Sequence, residues 1–584
     1  MILQALYEYY QRKAATPSGN IAPRGFEWKE IPFILVLDSE GNFINLEDTR
    51  TTDGKIKKAK TFLVIKTKGR PGTNGWQIGN ILWDHQGYVL NFPKDNSPKS
   101  IETAKKQFSV FTGIVAALSE QHPDNRQFRA VRRFYEQPDE MEKVYEHECW
   151  PDCQKSPGAN FSFRIAGETS IVAEHPDLGS ENEGDRRVND ENIDTTVEGI
   201  CLITGLRGKI TQLHSRTPIP GGESNGKLVS FQKKQGYDSY GKEQGFNAPV
   251  SKVAEDAYTT ALNELLGKDS RNKFKIADTT VVFWAHKSVE LENYFTSFFL
   301  IPNNDDPDRN LNEIKAFFES VYSGKMNLEG DTPFFVLGLS PNAARISVRF
   351  WKSGIVKEFA SNLKRHFDDL AIVKGKLDDV EYFSLFNLLT GIAFEHKLDN
   401  IPPNLPGKLI ESILDGSVYP ESFRQQCLRR IRAEQSVNRI RAAILKACLN
   451  RKSSIYSNNE KNITMALDPE NKNQGYLCGR LFAVLEKIQE DAQGTANIRE
   501  RYYGAASSTP VTVFGRLLNL KNHHMPKLSG GVKVFYEKLM QEIMAYIDSS
   551  GLPAHLSLDD QSRFAIGYYH QRQDLFTKRE KTNN

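Results

Sequence analysis

The sequence predicts an α+β protein, with a mixed α/β N-terminal and central region followed by an all-α C-terminal helical bundle. Short β-branched and apolar segments typical of strands recur as far as Trp351 and alternate with helical segments. After Trp351, apolar residues recur at helical spacing, and proline and glycine separate the helices. Because 39% of the 584 residues are apolar, the chain can bury sizeable cores.

In the first part of the chain, strands and helices alternate. Helices are predicted at 2–13, 101–120 and 127–137, and strands at 31–38, 61–67 and 160–166. Residues 74–90 predict a loop that leads into a strand. Residues 174–198 are acidic and polar, which indicates a surface loop or an insertion.

The central part has the same mixed character, and the last part is helical. A strand–turn–strand unit is predicted at 201–215, a helix at 253–266, a strand at 278–286, and a hairpin over 333–340 and 344–351. The C-terminal helices are predicted at 475–492, 511–525, 532–548 and 558–576.

A chain of this length is expected to contain roughly three to five folding units. The changes of pattern divide it into four predicted domains. They are an N-terminal α+β domain (1–200), a central α+β region (201–351), a basic helical connector (352–464) and a C-terminal helical bundle (465–584).

Composition limits the classes of function. Lys and Arg (76) nearly balance Asp and Glu (73), so nucleic-acid contact must come from local basic patches. No run approaches the roughly 18 consecutive apolar residues that cross a bilayer. Six cysteines over this length do not form a disulfide framework. We therefore expect a cytoplasmic protein without a membrane partner.

Catalytic signatures in the sequence are incomplete. None of the Gly-Lys pairs is followed by the Ser or Thr of a Walker phosphate loop. Ser224 in GESNG fits a nucleophile-elbow spacing but lacks the strand before it and the helix after it. His147, Cys149 and Cys153 offer three ligands, whereas a closed zinc site needs four. We expect no enzyme activity, no metal and no cofactor.

Basic residues concentrate in three segments. The first runs from Lys55 to Arg70 without an acid, and a glycine-rich loop with Asn74, Gln77 and Asn80 follows it. Amides carry donors and acceptors and so can read base edges. A plain polar turn fits the same spacing equally well.

The second basic segment is 421–452, where Arg429, Arg432, Arg439 and Lys446 are expected to share one helical face. The third is the helix 127–137, with Arg129, Arg132 and Arg133. Such stripes suit contacts with phosphates, and a solvated helix face is the alternative. Three patches on a nearly neutral chain favour a nucleic-acid contact.

Several long segments together resemble one protein family. They are DSYGKEQGFNAPVSKVAEDAYTTALNELL (238–266), LGLSPNAARISVRFW (337–351), RYYGAASSTPVTVFGRLL (501–518) and FAIGYYHQRQDLF (564–576). These segments are similar to the large subunit of the type I-C CRISPR surveillance complex, Cascade (the Csd family). The resemblance covers essentially the whole chain.

The resemblance implies a non-catalytic subunit that recognises the protospacer-adjacent motif (PAM) in double-stranded DNA. The subunit would nucleate unwinding and R-loop formation, stabilise the displaced strand, and recruit the helicase–nuclease in antiviral defence. Its implied partners are the guide RNA (crRNA), PAM-containing double-stranded DNA, the helicase–nuclease, and the backbone, handle-binding and small subunits of Cascade.

Two other classes of function remain open. One is a stand-alone metal-dependent nuclease, with Asp238, Glu255 and Asp256 holding magnesium. The other is a general single-strand RNA-binding protein, which would stack bases on exposed aromatic side chains and show no PAM dependence.

The resemblance places PAM reading near the loop before NILW (80–83). It implies base contacts by Asn74, Gln77 and Asn80, and phosphate contacts by Lys66, Lys68 and Arg70. Trp76 or Trp83 would be a wedge where the duplex opens, or else a core residue. The segment 224–251 is distinctive, and its role stays open.

The resemblance also gives Met465 a role. This residue begins the predicted bundle, and in the family the bundle resembles the small subunit, which can be made by internal initiation. We therefore expect that residues 465–584 are also made as a separate helical protein.

Overall fold

The computed structural model describes residues 1–16, 21–53, 56–66, 70, 73–180, 197–233, 241–300, 316, 317, 319, 330–342, 345–375, 380–456 and 462–576. The chain forms two compact units, one of residues 1–267 with 343–346 and one of residues 268–342 with 347–584. The predicted α+β class, with a helical C-terminal region, is confirmed. The finer division at 200, 351 and 464 stays a prediction.

The first unit combines helices with small sheets. Its helices are α1 (Ile2–Ala14), α2 (Gln86–Val89), α3 (Pro98–Gln121), α4 (Arg126–Glu136), α5 (Pro138–Glu146), α6 (Trp150–Gln154), α7 (Asp177–Ser180) and α8 (Lys252–Leu266). Its strands are β1 (Phe26–Glu30), β2 (Phe33–Leu37), β3 (Phe43–Asp48), β4 (Thr51–Asp53), β5 (Ile56–Lys58), β6 (Thr61–Ile65), β7 (Trp83–His85), β8 (Asn160–Ile165), β9 (Glu198–Ile200) and β10 (Arg207–Lys209).

A four-stranded sheet in the order β3-β2-β8-β7 forms the centre of the first unit, and β1 pairs with β6 in a separate ribbon. Strands β2 and β8 run parallel, whereas β7 and β8 are antiparallel. Strand β2 is almost entirely buried, as its continuous apolar sequence predicts. Helix α3 contributes Phe111 and Val115 to the same core, which also holds Trp83 and Tyr88. This core supports the loop before β7.

The second unit begins with a sheet and continues as helices. Its sheet has the order β11 (Lys273–Ile276), β12 (Thr279–Ala285), β13 (Pro333–Asn342) and β14 (Arg345–Ile355). Its helices are α9 (Leu291–Tyr294), α10 (Val356–Leu370), α11 (Leu385–Ile392), α12 (Leu405–Asp415), α13 (Glu421–Glu434), α14 (Arg439–Tyr456), α15 (Gln474–Gln493), α16 (Ile498–Ala506), α17 (Val511–His524), α18 (Gly530–Met544) and α19 (Leu558–Phe576). One continuous hydrophobic core joins the sheet to the last helix.

The hairpin predicted at 201–215 lies at 198–209 in the structure. The two strands are β9 and β10, and residues 201–206 form the turn between them. Gly205 takes a φ of +71°, and its N–H donates to the carbonyl of Cys201 at 2.8 Å. The strand predicted from residue 201 is therefore wrong, because this apolar segment closes the turn.

Helices α15 and α19 approach each other closely because glycines lie on both sides of their contact. A Cβ on Gly475 or Gly479 would overlap the backbone of α19, at Asp560 and Phe564 respectively. A Cβ on Gly567 would overlap the carbonyl oxygen of Tyr476 on α15. The contact therefore tolerates no side chain at these positions.

Replacing Gly479 by alanine is expected to lower the free energy of unfolding by roughly 1–3 kcal/mol, because the methyl group forces the two helices apart. Gly515→Ala in α17 is the control, since a Cβ there meets nothing within 4 Å. The control should raise stability by about 0.5–1 kcal/mol through better helix propensity. Thermal unfolding of both variants checks this, and equal shifts would contradict the packing argument.

Candidate nucleic-acid interface

A buried ion pair closes the loop that precedes β7. Asp84 of β7 has a side chain only 1% exposed, and it pairs with Arg70, whose Nη1 donates to Oδ1 at 3.1 Å. The same carboxylate accepts hydrogen bonds from the backbone N–H groups of Asn80 at 3.0 Å and His85 at 2.8 Å. One carboxylate therefore joins both ends of the segment 70–80.

Arg70 and Tyr88 also hold the backbone of residues 75–78. The guanidinium of Arg70 lies 4.3 Å from the centroid of the Tyr88 ring, and its Nε donates to the carbonyl of Ile78 at 2.7 Å. Tyr88 Oη donates to the carbonyls of Gly75 at 3.2 Å and Trp76 at 3.0 Å. Burial raises the pKa of Tyr88 to about 12, so the phenol remains a donor. Contacts within the protein thus hold the loop in one conformation.

Two glycines allow the loop to lie this close to its support. A Cβ on Gly79 would stand 2.8 Å from Cδ1 of Ile114 on α3. A Cβ on Gly75 would stand 2.9 Å from the carbonyl oxygen of Arg70. A larger residue at either position would push the loop away from the core.

The loop exposes two of the predicted base-reading amides. Asn74 and Gln77 are both exposed, at the start and end of a single 3₁₀ turn. Between them, Trp76 is half-buried, and Nζ of Lys106 on α3 lies 5.5 Å from the centroid of a Trp76 ring. The arrangement places two amides and one exposed cation beside each other. The base-reading role of the two amides stays a prediction.

The structure contradicts the predicted role of Asn80, and it supports the core position that was the alternative for Trp83. Asn80 is only 6% exposed, so its amide does not face a groove. Trp83 is 1% exposed and belongs to the core of the first unit, so it is not a wedge at the surface. Both residues lie at or just before β7, where the chain enters the four-stranded sheet. Their side chains are buried because they pack against the core. Trp76 remains the candidate wedge.

Two cations assigned to phosphates are bound within the protein instead. Lys66 Nζ donates to Asp256 Oδ1 and to Thr259 Oγ1, both at 2.8 Å, and its side chain is only 14% exposed. Arg70 is occupied by Asp84, as described above. Both assignments are therefore corrected: these cations hold the segment in place. Lys68 lies outside the described residues.

The basic residues of α4 are at the surface. Arg129 is exposed. Arg132 donates to Glu136 at 2.8 Å and to Glu120 at 3.3 Å, and Arg133 pairs with Glu40. Such surface pairs contribute little to stability, so a phosphate can compete for the guanidinium groups. Their role as phosphate contacts stays a prediction.

The second basic segment does not form the single helical face that its spacing predicted. Helix α13 ends at Glu434, because the next residue, Gln435, has a left-handed φ of 50°. The helices α13 and α14 are therefore separate. On α13, Arg429 is exposed, and Arg432 donates a hydrogen bond to the side chain of Gln561.

On α14, the two predicted phosphate contacts are engaged or buried. Arg439 donates to the carbonyl oxygens of Val380 and Ile372. Lys446 is 4% exposed, and burial lowers its pKa to about 8. A buried ammonium does not reach a phosphate, so the assignment of Lys446 is wrong, and that of Arg439 is corrected because backbone carbonyls occupy its guanidinium.

No motif in the sequence indicates the two residues that fix the loop. Asp84 and Tyr88 lie in the segment 74–90, whose sequence predicts a loop leading into a strand and assigns neither residue a role. The available signal was the isolated acid in ILWDHQGYVL, since a carboxylate within an apolar segment requires a cation when it is buried.

Among the described residues, no group of three His, Cys, Asp or Glu side chains is arranged to hold a metal ion. Glu255 accepts from the N–H of Ser215 at 2.7 Å, and Asp256 binds Lys66. Burial raises the pKa of the Cys153 thiol to about 12. Asp238 lies outside the described residues.

No helix in the described ranges combines the length and the apolar character needed to span a membrane.

The chain matches a known protein family over almost its whole length. A family model described as CRISPR-associated protein (Cas_Csd1) matches residues 6–576. The chain therefore belongs to this family of CRISPR-associated proteins, as its sequence resemblance predicted. No curated protein matches the chain.

Replacing Asp84 by alanine is expected to lower the free energy of unfolding by roughly 3–5 kcal/mol, because Arg70 is left without its counter-charge. The amide of Asn80 should also exchange hydrogen faster, since it loses its acceptor. Glu40→Ala is the control, because it breaks the exposed pair with Arg133 and should change stability by about 0.5 kcal/mol or less. Hydrogen exchange and thermal unfolding check both; similar effects would contradict the closing role of Asp84.

Proposed function

We propose that this chain is the non-catalytic large subunit of a type I-C Cascade complex and that it recognises the PAM in double-stranded DNA. Membership of the CRISPR-associated family supports a place in RNA-guided defence. The observation that carries the proposal is the loop 73–80, which Arg70 and Tyr88 hold in place and which exposes Asn74 and Gln77.

The geometry of the loop suits reading a short sequence. Amide side chains donate and accept hydrogen bonds, so a mismatched base leaves an amide unpaired and costs binding energy. A loop whose carbonyls are already held loses little further conformational freedom on binding. Lys106 stands next to Trp76 and pairs with Glu102 at 2.6 Å. Because this pair is exposed, a phosphate of a DNA backbone can compete for the ammonium. Together these features favour a protein that reads a few base pairs and leaves the remaining sequence to the guide RNA.

The proposed role extends to the rest of the complex. The subunit nucleates unwinding and R-loop formation, with Trp76 as the side chain that inserts next to the opened pair. It stabilises the displaced strand and recruits the helicase–nuclease, and it assembles in the cytoplasm with the crRNA and the backbone, handle-binding and small subunits. Arg129 and Arg429, both exposed, are the basic residues that best fit phosphate contacts among those predicted.

Asn74→Ala and Gln77→Ala are each expected to reduce discrimination between PAM variants by about 1–3 kcal/mol, because each removes base-edge hydrogen bonds. Lys106→Ala should instead weaken binding to all sequences alike and reduce the salt slope by about one. Binding of the assembled complex to a duplex library with a randomised flank measures both effects.

Asn293→Ala is the matched control, since this asparagine is exposed on the second unit. It should leave both affinity and discrimination unchanged. If Asn74→Ala and Gln77→Ala weaken all flanking sequences equally, the base-reading role is wrong.

We also propose that residues 465–584 are made separately as the small subunit. Met465 is 58% exposed and precedes α15, so a product that begins there contains α15 to α19 complete. In the full chain these helices share a core with α14, and Asp559 of α19 binds Lys452 of α14 at 2.8 Å. The free product therefore exposes a face that needs a partner in the complex.

Met465→Ala is expected to abolish the short product and to leave the full chain as stable as before, because the side chain is exposed. An antibody against a C-terminal tag detects both products in cells. Met544→Ala is the control, since Met544 is 44% exposed and lies downstream. A short band that persists in Met465→Ala cells would exclude initiation there.

A further inference from the structure

The sheet of the second unit ends in a long edge strand. Strand β14 (Arg345–Ile355) comes last in the order β11-β12-β13-β14, so in the sheet that the structure describes it has a neighbour on one side only. Two residues separate it from β13, which makes the pair antiparallel. In such a pair, the N–H and C=O groups of every second residue point away from the partner strand.

These outward groups have no partner in the described part of the chain. No backbone hydrogen bond there joins residues 345–355 to any segment other than β13. Val348 is 44% exposed, and Arg349 and Ser353 are also exposed. Because Val348 and Arg349 are consecutive, they point to opposite faces of the sheet, and the edge between them is open to solvent. Phe350 belongs to the core of the second unit and anchors the strand.

The chemistry of the edge selects its occupant. A row of alternating N–H and C=O groups is matched by the backbone of another extended polypeptide, which adds to the sheet as a further strand. A nucleic acid offers phosphate oxygens, which cannot donate to the carbonyls. From Thr332 to Lys357 the chain contains lysine and arginine but no aspartate or glutamate. Pairing with β14 of a second copy therefore places like charges against each other, whereas an acidic segment is attracted.

The two faces of β14 differ, which defines the pattern of the added strand. On one face, Lys352 already binds Asp415 of α12 at 2.7 Å, and Val348 on the same face offers an apolar contact. On the other face, Arg349 binds Asp278 at 2.8 Å in a pair whose side chains are 33% and 40% exposed. Such an exposed pair contributes little to stability, so a carboxylate of an added strand can compete for Arg349.

We propose that β14 is the docking strand for another subunit of the complex, which adds an extended segment of alternating apolar and acidic residues to its edge. The apolar side chains of that segment lie on the Val348 side of the sheet, and the acidic side chains lie on the Arg349 side. A stably bound subunit is the occupant because a long edge strand promotes aggregation when nothing covers it. This inference rests on the proposed place of the chain in Cascade.

A seven-residue peptide of alternating valine and glutamate is the probe, and its binding to the full chain is measured by fluorescence anisotropy. Two N-methylated versions, one at the valines and one at the glutamates, remove opposite sets of N–H donors. Only one set faces β14, so one version should bind about tenfold or more weakly than the parent peptide, and the other should bind like it. If both versions bind like the parent peptide, the peptide does not extend a sheet and the proposal is wrong.

Arg349→Gln tests where the peptide binds, with Lys275→Gln as the control. Lys275 is an exposed cation on β11, the opposite edge strand of the same sheet. Arg349→Gln should weaken peptide binding by roughly threefold, because it removes the cation next to the glutamates, and Lys275→Gln should leave it unchanged. Both variants should keep the wild-type Tm, since both side chains are at the surface. Equal weakening by the two variants would mean that the peptide responds to net charge, which contradicts docking on β14.

Hydrogen exchange at single-residue resolution tests the natural occupant. In the free chain, every second amide of residues 347–353 should exchange fast, because it points to solvent. In the assembled complex, the same amides should exchange about tenfold or more slowly, since the added strand accepts their hydrogen bonds. The amides of β11 are the control and should not change. Fast exchange along β14 in the assembled complex would overturn the proposal.

The outcomes separate this inference from the proposed function. If the chain does not assemble with the other Cascade subunits, the proposed function is wrong, and so is the occupant named here. If the complex assembles and discriminates between PAM variants while exchange along β14 stays as in the free chain, only the docking strand is wrong.

Discussion

The pairing of Arg70 with the buried carboxylate of Asp84 is the constraint on which the candidate interface depends. A buried carboxylate must be paired with a cation and hydrogen-bonded. Arg70 and the amides of Asn80 and His85 meet that requirement and bring both ends of the loop to one point. Tyr88 then holds the carbonyls between them. The exposed amides are therefore presented by a rigid support.

The basic residues that the sequence predicts as phosphate contacts have three different structural roles. Lys66 and Arg70 bind buried or half-buried partners and fix the chain. Arg132 and Arg133 form weak pairs at the surface, and Lys446 is buried. The density of basic residues along the chain therefore does not predict which of them are free to bind a phosphate.

The C-terminal helices form a bundle that is not self-contained in the full chain. Glycines at the contact of α15 with α19 allow the two helices to pack directly, and this contact lies within any product that begins at Met465. The contact of α19 with α14 lies outside such a product, because it involves Lys452, which precedes Met465 in the chain. A separate bundle keeps the close packing of α15 against α19 and loses the contact of α19 with α14. This physical difference would favour assembly of the free product onto another subunit.

The sequence by itself determined the α+β class, the helical C-terminal region and the family, because periodicity, turn residues and long motifs are local properties of the chain. It also identified the loop with Asn74 and Gln77. The exposure of those amides, the burial of Asn80, Trp83 and Lys446, and the break at Gln435 were decided by the tertiary structure alone. Spacing along one helix or loop does not specify which distant residue packs against it, and burial is set by that partner.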